Sequence, residues 1–226
     1  MIIDIVSDTV CPWCYIGKRK LEAALAQRDD IDVQIGWRPF QLNPEMPARG
    51  MSREAYLAAK FGGPDKAMRI YENIREAGSG IGIDFRFDQI RRTPSTLDSH
   101  RLIRWALAEN LQNEVVQLLF DAYFCNGQDI GDHAVLSGIA ETAGLNGKDV
   151  AQKLADGTDL ELVRQEDSMA RSMGINGVPC FIVDRKYAVS GAQDIPVFHK
   201  VFDLALNESV TPEDASAVTD DAASAR

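Results

Sequence analysis

Ile2-Ile3-Asp4-Ile5-Val6-Ser7-Asp8-Thr9-Val10-Cys11-Pro12-Trp13-Cys14 opens the chain, and its reading decides the fold. The nearly continuous apolar run Ile2, Ile3, Ile5 and Val6 has the pattern of a strand buried on both faces of a sheet. After Cys11-Pro12, residues Cys14, Gly17, Leu21, Ala24 and Leu25 recur at helical spacing. Proline suits a first helical turn because the amide hydrogen it lacks would have no partner there. The segment therefore reads as strand, tight loop, helix. Val33, Ile35 and Trp37 alternate with Gln34 and Gly36, which predicts a second strand after the helical crossover.

Beyond Trp37 the character changes. Asn43-Pro44, Pro47 and Gly50 mark a long loop, and helical patterns then dominate to about Gly174. Ser95, with Asp98 three residues on, predicts a capped helix whose buried stripe is Leu102, Ile103, Ala106 and Leu107. Val115, Val116, Leu119, Ala122 and Tyr123 repeat that stripe, as do Val135, Leu136, Ile139, Ala140 and Ala143 before Gly144. Thr158-Asp159-Leu160-Glu161 reads as a capping box for one more helix, which Gly174 ends. Phe181, Ile182 and Val183 then form a strand, Asp184-Arg185-Lys186 a polar turn, and Tyr187, Ala188 and Val189 a second strand. A last helix carries Val197, Phe198, Val201, Phe202 and Ala205, with Asp194 as its cap. The order βαβ, helical block, ββα places the chain in the α/β class.

Composition narrows the function. The 226 residues hold 24 Lys and Arg against 34 Asp and Glu, a net charge of −10. That excess argues against nucleic acid as a partner, whose phosphates demand a basic stripe. Asp4 and Asp8 interrupt the apolar start, and no apolar run approaches the roughly 20 residues a membrane-spanning helix needs. A soluble, cytoplasmic protein without a membrane partner is the expectation. From 208 to 226, Ala, Ser, Asp, Glu and Thr dominate without periodicity, which predicts an acidic disordered tail. Four cysteines are too few to staple a scaffold of this length, so a cysteine pair here reads as reactive.

The chemistry centres on Cys11-Pro12-Trp13-Cys14. A thiolate is the nucleophile of disulfide exchange, and the unpaired amides and positive dipole end of a helix stabilise that anion. Cys11 is thus the expected accessible attacker. Cys14, one turn further on, would resolve the mixed disulfide by displacing the bound partner. Trp13 reads as a partly exposed wall of the substrate groove, and Lys18, Arg19 and Lys20 as a solvated helix face. Half of a zinc site is the competing reading, but Cys125 and Cys180 do not form a second pair at ligand spacing, so no metal is expected. Cys180 reads as an inert core residue and Cys125 as a partly exposed thiol without a partner. His100, His133 and His199 are scattered. Gly177-Val178-Pro179 precedes a strand, where proline is tolerated because it need not donate to the ladder.

In combination, the βαβ and ββα order, the dithiol at the first strand-helix junction and Val178-Pro179 before the third strand resemble the thioredoxin superfamily. The likeness is greatest to its DsbA-like branch, which inserts a helical domain between the two halves. Cys11-Pro12-Trp13-Cys14-Tyr15-Ile16-Gly17, Trp37-Arg38-Pro39-Phe40-Gln41-Leu42-Asn43-Pro44, His100-Arg101-Leu102 and Tyr187-Ala188-Val189-Ser190-Gly191-Ala192-Gln193 are similar to FrnE-type proteins of that branch. The resemblance implies a thioredoxin-like domain from 1–42 and 158–207, a helical insertion over 43–157, and a cis Val178-Pro179 bond packed against the dithiol. It implies a thiol-disulfide oxidoreductase acting on protein or low-molecular-weight disulfides, with Pro12, Trp13, Val178 and Pro179 supporting Cys11 and Cys14. No cofactor beyond the dithiol is implied, although glutathione is a candidate co-substrate. Two alternatives stay open. One is a glutathione-dependent isomerase or transferase of the 2-hydroxychromene-2-carboxylate isomerase and kappa-class type, in which the position of Cys11 is typically serine. The other is a redox-sensing or chaperone-like binding module.

Overall fold

The computed structural model describes residues 1–209. Its first elements are β1 (Ile2–Ser7), α1 (Pro12–Leu25), β2 (Gln34–Pro39), β3 (Met51–Ser52), α2 (Arg53–Phe61), α3 (Pro64–Ser79) and β4 (Arg92–Thr93). There follow α4 (Leu97–Ala106), α5 (Gln112–Phe120), α6 (His133–Ala143), α7 (Gly147–Ala155) and α8 (Leu160–Ser172). The chain then forms β5 (Cys180–Val183), β6 (Tyr187–Ser190) and α9 (Ile195–Ser209). The expected disordered tail lies outside the described residues, apart from the last two residues of α9.

The four-stranded sheet runs β2-β1-β5-β6. The α1 crossover makes β1 and β2 parallel, with Ile5 opposite Trp37, whereas β5 is antiparallel to β1, with Phe181 opposite Ile5. The β5–β6 turn is tight. Asp184 and Arg185 both take left-handed φ values, 48° and 58°, which suit the twist of a two-stranded ribbon. The Asp184 carboxylate accepts from the Ile2 amide at 2.6 Å, fastening the turn to the start of β1.

Both faces of the sheet are covered, as the apolar β1 run requires. On one side Phe181 meets Phe198 edge-on at 5.0 Å, and α9 lies beside α1. Tyr15 of α1 extends the same layer, stacking on Phe120 at 5.0 Å within a buried group that includes Phe85, Phe124 and Trp37, while on the other side Val6 and Cys180 pack with Phe40 and with Ala170 of α8. The helices between β2 and β5 are held partly by Arg101, one of the largest fully buried side chains. Its guanidinium donates to the carbonyls of Lys153, Leu154 and Thr158 and to the Asp98 carboxylate. It thereby satisfies the open carbonyl end of α7.

Two helix starts differ from expectation. Thr96, not Ser95, precedes α4, and no side chain caps it. The Thr158–Glu161 capping box does not form. Asp159 sits at φ 60°, and its carboxylate accepts from the Trp105 indole at 2.9 Å. Asp194 directly precedes α9, at the position the sequence assigns to its cap, and its carboxylate accepts from Lys20 at 2.6 Å.

Candidate active site

The register that places Val6 opposite Cys180 brings the β1–α1 loop beside the segment entering β5. In that segment the Val178–Pro179 peptide is cis. Cys11 is the N-cap of α1, with extended backbone at φ −94° and ψ 111°. Its amide donates to the Asp8 carbonyl at 3.0 Å, and its carbonyl accepts from the Cys14 amide at 3.0 Å. The Cys11 thiol donates to the Val178 carbonyl at 3.7 Å. Cys11 therefore sits at the positive end of the α1 dipole while facing the backbone of the β5 entrance.

Cys11 is not the surface thiol the sequence suggests. It is only 4% exposed, and it forms part of the wall of a cavity of about 280 Å³. Trp13, 41% exposed, stands at that cavity with Leu42 and Val178. The cover comes from α2 and α3, which supply Arg53, Tyr56, Lys60 and Tyr71. The sequence reading passed over these residues. Signals for them were present: the Ser52 hydroxyl caps α2 by accepting from the Ala55 amide, Gly62 closes it at φ 74°, and Pro64 opens α3. Two cations in the cavity wall have neutral hydrogen-bond partners. Arg53 donates to the Thr93 hydroxyl at 3.2 Å and the Tyr71 hydroxyl at 2.6 Å, and Lys60 to the Asn43 side-chain oxygen at 3.1 Å.

Cys14 lies behind Cys11 and is 1% exposed. Burial pushes its thiol well above the ordinary range, and the hydrogen bond and charge of Cys11 push the same way. The nearby Ser7 hydroxyl and Asp8 backbone act against that rise.

The Trp37–Pro44 motif is a belt that fixes this loop. The Phe40 amide donates to the Ser7 carbonyl at 3.0 Å, and the Leu42 amide to the Asp8 carboxylate at 2.7 Å. Gln41 is gripped from α8, its amide donating to Asp167 at 2.8 Å and its carbonyl accepting from Arg171. His100, to which the sequence assigns no chemistry, turns Nε2 toward the Phe40 carbonyl at 3.3 Å and Asp8 Oδ1 at 3.5 Å.

The family model of the DsbA-like thioredoxin domain matches residues 2–203. The chain belongs to that family.

Among solved structures, this DsbA-like chain is similar to a probable DsbA oxidoreductase of Streptomyces coelicolor, with 32% identity and a TM-score of 0.82 over 92% of this chain and 91% of that one. Among curated proteins it is 29% identical to the uncharacterized protein YwbO of Bacillus subtilis, over 88% of this chain and 94% of YwbO. Two further structures share the fold alone. A 2-hydroxychromene-2-carboxylate isomerase matches at 15% identity and TM-score 0.67, covering 92% of this chain and 98% of that one. The cytosolic disulfide reductase DsbM of Pseudomonas aeruginosa, also solved with GSH, matches at 18% and 0.65, covering 92% and 100%.

The remaining thiols of this DsbA-like chain lie apart from the pair. Cys180 is buried against Val6, Phe40 and Ala170, and burial raises its thiol. Cys125 ends a π-helical turn after α5, and burial together with the Asp121 carboxylate pushes it to about 11. Among the described residues no group of three or more His, Cys, Asp or Glu is placed to hold a metal ion. The basic run after the dithiol is not a solvated face. Lys18 is 3% exposed and donates to Glu22 and Gln117, Lys20 pairs with Asp194, and Arg19 lies near Tyr15 and Glu22.

Proposed function

We propose that this DsbA-like protein is a thiol-disulfide oxidoreductase whose working pair is Cys11 and Cys14. The Cys11 thiolate attacks a substrate disulfide, one substrate thiolate leaves, and a mixed disulfide remains. The Cys14 thiolate then attacks the Cys11 sulfur and expels the second thiolate, so the enzyme is oxidised by two electrons and the substrate reduced by two. The reverse sequence oxidises a dithiol. The electrons reside on sulfur, and no other cofactor enters.

The observation that carries this reading is the Cys11 thiol at the N-terminus of α1, in the wall of a cavity, 3.7 Å from the Val178 carbonyl. A substrate strand could pair there with the Val178 backbone ahead of Pro179, which would set its sulfur in line with Cys11. Pro12 starts the helix, and Trp13 forms the exposed flank of the approach. Arg53 and Lys60, whose partners are neutral, favour a disulfide that carries carboxylates, such as an acidic peptide or glutathione. The structure of DsbM with GSH supports glutathione as a co-substrate. A cytoplasmic setting, where a dithiol is kept reduced, belongs to the same reading. Among the described residues no helix is long and apolar enough to cross a membrane.

Cys11→Ser should abolish reduction of insulin or a cystine peptide, and Cys14→Ser should accumulate mixed disulfides detectable by mass. Full turnover by Cys11→Ser would refute the mechanism. Turnover of a 2-hydroxychromene-type substrate by Cys14→Ser would favour the isomerase alternative.

A further inference from the structure

We propose that the space between the loop after β2, the start of α4 and α8 is a second ligand site, built for a small carboxylic acid with an apolar body. The proposal is independent of the dithiol reading, because no residue in the wall of the dithiol cavity lines this space.

The space is a cavity of about 450 Å³, a volume that small molecules commonly fill. Two buried polar residues line it, Gln41 at 5% exposed and Ser95 at 9%. The backbone of Gln41 is taken by Asp167 and Arg171. Among the described residues, however, neither the Gln41 side-chain amide nor the Ser95 hydroxyl has a hydrogen-bond partner. Polar groups left unpaired in the interior cost stability, and a ligand that pairs with both removes that cost. The start of α4 adds a third contribution. Leu97 and Asp98 of its first turn belong to the same wall, and no side chain caps the helix. Its first amides and the positive end of its dipole are therefore open to an anion.

The charges in the wall select a carboxylate. Two acidic residues lie there, and both are already engaged. Asp98 accepts from Arg101 at 2.7 Å and faces His133 Nε2 at 3.0 Å, while Asp167 accepts from the Gln41 backbone amide at 2.8 Å and from Arg171 at 3.1 Å. Each carries its own counter-charge. Arg164 differs, because its side chain is 51% exposed and its bond to Glu161 is long, at 3.5 Å. A ligand carboxylate would accept from the Ser95 hydroxyl, the Gln41 side-chain NH2 and the first amides of α4, with Arg164 supplying charge at the rim. Helix starts bind carboxylates and phosphates by such donors. The remaining wall decides between those two anions. Pro44 and Met46 from the loop and Leu160 from α8 present apolar surface, which suits a hydrocarbon body rather than a bare phosphate.

The test is titration of the isotope-labelled full-length protein with phenylacetate and with its uncharged counterpart phenylacetamide, followed by amide chemical shifts and calorimetry. Phenylacetate should saturate one site with a Kd of about 1 mM or tighter, as expected for a ligand of that size. It should move the amide signals of Gln41, Leu97, Asp98 and Ser99, and phenylacetamide should bind about tenfold more weakly or worse. Ser95→Ala should weaken phenylacetate about tenfold, the effect of losing one hydrogen bond to a charged group. Arg164→Gln should weaken it about threefold, as suits a half-exposed charge. Arg53→Gln, in the wall of the dithiol cavity, should leave the affinity unchanged. No saturation by about 10 mM, equal affinity for acid and amide, or loss of binding in Arg53→Gln would each overturn the site. Should Ser95→Ala not fold, the exposed Arg164→Gln and the acid-amide comparison on the wild type decide the matter.

Discussion

A β-carbon added to Gly17 would stand 2.9 Å from Cγ of Pro179 and 2.9 Å from Cζ of Phe181. The helix that carries the dithiol is therefore seated directly on the proline at the β5 entrance, and only a residue without a side chain permits that approach. Gly17→Ala removes glycine's helix penalty, about 1 kcal/mol, but overpacking of this kind costs about 1–3 kcal/mol. Packing should win. Urea unfolding is expected to show net destabilisation, and insulin reduction should slow as Pro179 is pushed off α1. A stabilised variant with full activity would show that the seat is loose.

Arg101 is structural although it lies next to His100 in the same motif. Arg101→Leu would leave the carbonyls of Lys153, Leu154 and Thr158 without their buried donor. Removing one partner from such a buried charged network costs about 3–5 kcal/mol. The expected result is a large drop in the denaturation midpoint, with residual folded protein retaining its Cys11 reactivity. A midpoint within experimental error of wild type would contradict the network's role.

Substrate charge should register at Arg53. A charged hydrogen bond contributes about 1.5–3 kcal/mol, and tenfold in binding corresponds to about 1.4 kcal/mol. Arg53→Gln should therefore raise KM for glutathione disulfide about tenfold or more while leaving the neutral 2-hydroxyethyl disulfide unaffected. Equal losses for both substrates would point to disturbed packing against Tyr56 and Tyr71 instead.

The buried thiols set an alkaline limit on stability. Cys125 moves from its ordinary 9.0 to about 11 in the fold, because of burial and the neighbouring Asp121, and burial raises Cys14 as well. A group whose folded value lies above its unfolded one keeps its full contribution below the unfolded value and loses it as the pH climbs through the folded value. Stability of the reduced protein should thus fall between pH 9.0 and about 11. Urea midpoints measured across that window should decline less steeply for Cys125→Ser. An identical slope in that variant would remove Cys125 from the account.

Much of the architecture was legible because periodicity and punctuation are short-range signals. The apolar β1 run, the helical spacing behind Pro12, the φ of 97° at Gly144 and the β5–β6 hairpin all follow from residues within a few positions of one another. Capping was less legible, since an oxygen such as that of Asp159 can serve its own helix or a distant indole, and burial of Trp105 decided for the indole. The Lys18 run misled for a similar reason. Charge suggests solvent, yet the α1 face bearing Lys18 is covered by α5, which supplies Gln117 as a partner.

By itself the sequence determined that a buried strand runs into a proline-led helix with Cys11 at its start, because the apolar run and the restricted φ of Pro12 act locally. The tertiary structure alone decided that Cys11 lies under α2 and α3, that it meets a carbonyl 167 positions away, and that His100 is turned toward Asp8 and the Phe40 carbonyl. Those relations depend on strand register and on which surfaces can be buried together, and no window of neighbouring residues contains them.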